Sequence, residues 1–115
     1  AIGWNDSVEV SRAICMTLPW LTQMKKVTVL VSKKREPGVS EVIDYLKRHG
    51  CKVDYHVLSG RSGNVGKKML ATCADIGAEF LVVGGFTHTR TRQRLFGGVT
   101  SYLLSNTNII TVMAH

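Results

Sequence analysis

Short apolar runs and segments of helical period take turns along the whole chain. Ala1 to Trp4 reads as a strand, and Lys26 to Ser32 as a second one built on Val27, Val29, Leu30 and Val31. The second is too apolar for simple in-and-out alternation, as is a fourth run, Phe80 to Val83; strands buried on both faces look like this. Cys51 to Leu58 differs, because Val53, Tyr55 and Val57 alternate with Lys52, Asp54 and His56. One wet face predicts an edge position. Asn108 to Met113 is the last strand.

The segments between these runs carry helical spacing. After Trp4, Asp6 or Ser7 can cap a helix, and Glu9 in its first turn suits the dipole. That helix sets Val10, Ala13, Ile14, Leu18 and Leu21 on one face, and Pro19 predicts a disturbed last turn. Lys33 to Gly38 reads as a charged loop. Val39, Val42, Ile43 and Leu46 follow at i, i+3, i+4 and i+7, and Gly50 ends their helix. Val65, Met69, Leu70 and Cys73 mark a third helix ending near Gly77, and Leu95, Val99, Tyr102 and Leu103 a fourth.

The order is β-α-β-α-β-α-β-α-β. Such regular alternation with short connections predicts an α/β fold of three layers, α/β/α, with a five-stranded, mostly parallel, Rossmann-like sheet. At 115 residues the chain fits one domain spanning 1–115, within the usual range of about 100–200 residues. No apolar run approaches the roughly 20 residues that span a bilayer, and the start lacks a signal-peptide pattern. A cytoplasmic location without membrane contact is therefore expected. Cys15, Cys51 and Cys73 are an odd, widely spaced set with no CxxC pair. They read as apolar fillers in a reducing compartment rather than a disulfide framework or a zinc site.

The net charge of +7 is unevenly spread: no acidic residue follows Glu79, while Arg90, Arg92 and Arg94 fall close together. Basicity alone would suit a polyanion, but no nucleic-acid motif or aromatic platform accompanies it, so nucleic acid is not the expected partner. In open parallel sheets ligands bind outside the carboxyl ends of strands, where the strand order reverses. Two connections deserve that reading. One is Asn5-Asp6-Ser7 after the first strand. The other runs from Gly84-Gly85 through the three arginines to Gly97-Gly98-Val99-Thr100. Paired glycines let backbone approach a ligand, and free N–H groups at a helix start attract anions. The competing reading, given equal weight, is tight turns and a solvated basic face.

Known phosphate fingerprints do not fit. Gly60 to Lys68 is glycine-rich, but Arg61 stands where a P-loop needs its first glycine, and Lys68 where it needs Ser or Thr. Gly63 and Gly66 read instead as a turn and a close helix contact. No catalytic set emerges either. Asp6, Ser7 and His88 could form one only if they met in space, and Asp6 and Ser7 read more simply as caps. His49 and His56 are expected at the surface, and Trp4 and Trp20 in or near the core.

The stretch Leu81 to Leu104, LVVGGFTHTRTRQRLFGGVTSYLL, resembles the C-terminal signature of the universal stress protein family. That signature is a Gly, two residues, a second Gly, nine residues, a third Gly, then Ser or Thr. Gly84 matches its first glycine and Gly97 its third. IGWNDSVEVSRAI is similar to the family's first strand and helix, and IITVMAH to its last strand. GGVTSYLL resembles the second domain of tandem members. The resemblance covers essentially the whole chain. It implies the adenine nucleotide alpha hydrolase-like variant of the fold and a stress-response regulator that binds ATP, ADP or AMP, with magnesium accompanying ATP.

Carried over position by position, the resemblance puts the nucleotide on Asn5, Gly84, Thr87, Gly97, Gly98 and Val99; Arg90, with Arg92 and Arg94, is read beside it as a compensating cation. Three positions depart from the pattern. Asn5 replaces an aspartate, Thr87 the second glycine, and Gly98 the Ser/Thr. Losing a hydrogen bond to a charged group costs roughly 1.5–3 kcal/mol, so a domain that no longer binds nucleotide is the alternative. It would act by homodimer or tandem-domain pairing through Asn108 to Met113. The chain is read as a binding protein rather than an enzyme, with slow ATP hydrolysis as a weaker alternative.

Overall fold

The computed structural model describes residues 1–59, 64–85 and 98–115. Its strands are β1 (Ile2–Trp4), β2 (Val27–Ser32), β3 (Val53–Leu58), β4 (Phe80–Gly84) and β5 (Ile110–Ala114). Its α-helices are α1 (Val8–Leu21), α2 (Val39–Arg48), α3 (Val65–Ile76) and α4 (Gly98–Asn106). All pairings are parallel, in the order β3-β2-β1-β4-β5.

That order explains the hydropathy of each strand. β2, β1 and β4 are interior and carry Val29, Leu30, Ile2, Leu81 and Val82 at 0% exposure, as strands covered on both faces must. β3 lies at an edge, where Asp54 and His56 of its polar face are exposed; Tyr55, on the face expected to be dry, is exposed as well. Two cores fill the two faces. Val10, Ala13, Ile14 and Leu21 of α1 and Val39, Val42, Ile43 and Leu46 of α2 pack with Val27, Val29, Val31 and Val82 on one. Met69 and Cys73 of α3 and Leu103 of α4 pack with Leu30, Leu81 and Val83 on the other. The fold is thus the expected three-layer, Rossmann-like α/β/α arrangement.

Local expectations differ at Pro19, at Lys33–Gly38, in the last strand and at Cys15. Pro19 lies inside α1, which continues to Leu21; Thr22 N–H still reaches Leu18 O at 3.0 Å, so the turn around the proline closes. Thr17, buried on the core face of α1, gives its hydroxyl proton to Ala13 O at 2.8 Å and so needs no outside partner. Lys33–Gly38 is a 3-10 helix rather than a loop. The last strand sits one to two residues later than its apolar run suggested, because its register against β4 pairs Gly84 with Ala114. Cys15 is exposed, so only Cys51 and Cys73 act as fillers.

Gly66 is a close helix contact, as its position suggested: a Cβ there would stand 3.1 Å from Tyr102 Cβ, across the α3–α4 seam. Trp20 is 56% exposed and covers Phe80 edge-on, with ring centroids 5.8 Å apart. Among the described residues no helix is long and apolar enough to cross a membrane.

Candidate functional site

The strand order reverses between β1 and β4. From β1 the chain moves outward through β2 to β3, then returns to the far side of β1 for β4. The carboxyl ends of β1 and β4 therefore adjoin with connections leading away in opposite directions, the position at which open parallel sheets bind ligands. Gly3 pairs with Val83, so Asn5 and Gly84 stand at the same end of the sheet. Because β4 and β5 are parallel, α4 runs back between them, and its first residue, Gly98, also lies at that end.

The β1–α1 connection is held by its own side chains. Ser7 caps α1, its Oγ accepting from Val10 N–H at 3.2 Å. The same hydroxyl donates to Asn5 Oδ1 at 2.7 Å. Ser7 Oγ gives its one proton to Asn5 Oδ1, which leaves the Asn5 amide nitrogen as the donating end. Asp6 is not the cap. It adopts φ 59°, in the left-handed region that aspartate tolerates, and is exposed. With its hydroxyl committed to the cap, Ser7 is not arranged as a nucleophile.

Gly84 has a different reason to be glycine than ligand approach. A Cβ there would stand 2.6 Å from Val10 N and 2.9 Å from Glu9 Cβ. The end of β4 is pressed against the first turn of α1. Gly85 continues the ladder, donating to Ala114 O at 2.8 Å.

α4 begins at Gly98 with φ 76°, a left-handed conformation that costs glycine little. Its first turn carries no acidic residue, whereas α1 carries Glu9. Of these two helix starts, α4 is the better suited to an anion. The Val99 side chain packs against the second core, which leaves its backbone as the part that could serve a ligand. Thr87, Arg90 and Gly97, with His88, Arg92 and Arg94, lie outside the described residues.

One feature of this rim escapes a reading by motif. Lys33, Lys34 and Arg35 are exposed and open the 3-10 helix directly after β2. β2 pairs with β1 through Trp4 and Val31, so these cations stand at the carboxyl end too. A basic triplet following a buried strand was the available signal. Compared with family models, with curated proteins and with solved structures, the chain matches none.

Proposed function

We propose that this chain is a universal stress family domain that binds an adenine nucleotide, ATP, ADP or AMP, in the crevice between the carboxyl ends of β1 and β4. The observation carrying this reading is that Asn5 and the acid-free start of α4 lie at the same end of the sheet, at its switch point. Asn5 presents its amide nitrogen as a donor, which suits an acceptor nitrogen on the edge of adenine. The α4 N-terminus and the Lys33-Lys34-Arg35 triplet suit phosphates. Magnesium would arrive on the phosphates of ATP. The role is regulatory: binding, not turnover, is the activity.

Calorimetric titration with ATP and AMP, with and without magnesium, tests the reading. Micromolar binding is expected. Asn5→Ala should weaken both nucleotides by about tenfold, the equivalent of about 1.4 kcal/mol. Gly97→Asp, which adds a carboxylate beside α4, should weaken ATP more than AMP. Absence of heat and of thermal shift at millimolar nucleotide overturns the proposal.

A second reading is favoured by β5. It forms the other edge of the sheet, and Ile110 on it is 65% exposed. An edge strand with an exposed branched apolar residue is a template for another strand, consistent with pairing of domains through Asn108 to Met113. Sedimentation should then show a dimer that Ile110→Lys dissociates. A monomer at high concentration counts against it.

A further inference from the structure

Gly3 faces α3, since a Cβ there would meet Met69; the next residue, Trp4, therefore points to the opposite face, where it packs against the first core. There it forms one wall of a cleft of about 230 Å³ between α1 and α2. Ile14 and Val42 supply apolar walls, while Ser11, Cys15 and Glu41 bring polar groups. Tyr45 crosses the cleft from α2, its hydroxyl 3.7 Å from Cys15 Sγ on α1. Among the described residues, Trp4 Nε1 is the one buried side-chain donor with no hydrogen-bond partner.

A buried donor left unpaired is costly, because it has given up water for nothing. Any molecule that brings an acceptor to it recovers that cost in addition to its own apolar burial. The indole nitrogen is sealed, so an incoming group must shift a neighbour. The Tyr45–Cys15 contact is a weak sulfur–hydroxyl one and yields cheaply. A cavity of roughly 150 Å³ takes a benzene ring, so this cleft suits one ring bearing a small substituent. The Glu41 carboxylate disfavours an anion. We infer that the α1–α2 cleft is a ligand site, distinct from the crevice, for a neutral single-ring aromatic molecule whose carbonyl or ring nitrogen accepts from Trp4 Nε1.

The test follows the two tryptophan indole N–H signals by NMR while the chain is titrated with benzamide, benzene or benzoate. Benzamide should move the Trp4 signal downfield and saturate. Benzene, lacking an acceptor, and benzoate, carrying a charge, should each bind about tenfold or more weakly. Trp4→Phe should reduce benzamide to the level of benzene. Ser11→Leu, at an exposed position on the helix surface, should exclude all three without disturbing the fold. Three results overturn the inference. One is no saturable shift with any probe. Another is benzamide binding unchanged by both variants. The third is a Trp4 indole proton that exchanges with water as fast as that of Trp20, because water would then already serve the donor.

Discussion

A Cβ placed on Gly84 would stand 2.6 Å from the backbone nitrogen of Val10. Backbone meets backbone where β4 ends and α1 begins, and neither can retreat without disturbing the sheet or the Ser7 cap. Gly84→Ala should therefore cost about 1–3 kcal/mol by overpacking, measured as a lower urea midpoint. An unchanged midpoint would show that this contact relaxes freely.

Ser7 and Asn5 separate stability from binding. Ser7→Ala removes the acceptor for Val10 N–H and should cost about 0.5–2 kcal/mol, as loss of a helix N-cap does. Asn5→Ala leaves that cap in place and should cost less in chemical denaturation. Equal losses would mean that the Asn5–Ser7 hydrogen bond, not the cap, holds the turn.

The α3–α4 seam predicts coupling between Gly66 and Tyr102. Gly66→Ala forces the Tyr102 side chain to give by a few tenths of an ångström. It should destabilise the native chain yet be better tolerated when Tyr102 is also alanine. A double-mutant cycle should return about 0.5 kcal/mol or more of interaction. Additive losses would place the strain elsewhere.

The three cysteines should divide by accessibility. Cys15 is exposed and should alkylate in the native state, whereas buried Cys51 and Cys73 should react only on unfolding. Burial also pushes the Cys51 and Cys73 thiols above their ordinary pKa. Their contribution is complete below the unfolded thiol pKa and is lost as pH rises through the folded one, since the unfolded chain ionises first. Stability should thus fall as pH rises above about 8.5, the ordinary thiol pKa. Cys73→Ala should flatten that slope while lowering stability at neutral pH, and an unaltered slope would assign the alkaline loss to other groups.

The end of the sheet at which the candidate residues lie was legible before the fold. Asn5, Gly84 and Gly98 all fall at the carboxyl end of the sheet because a regular βα alternation leaves each βα connection there. What misled was the reason for a residue. Gly84 reads as space for a ligand, yet it is filled by α1, and only packing between segments distant in the chain reveals that. Lys33 to Arg35 read as a charged loop, because nothing local says that β2 lies beside β1.

Periodicity alone determined the strands and α-helices, the two-sided burial of β2 and β4 and the edge position of β3, since these follow from which faces of a segment meet water. Strand order, the switch point between β1 and β4, the Gly66–Tyr102 seam and the unpaired indole of Trp4 were decided only by tertiary structure. Each depends on which distant segments touch, and hydropathy records how deeply a residue is buried but not which neighbour buries it.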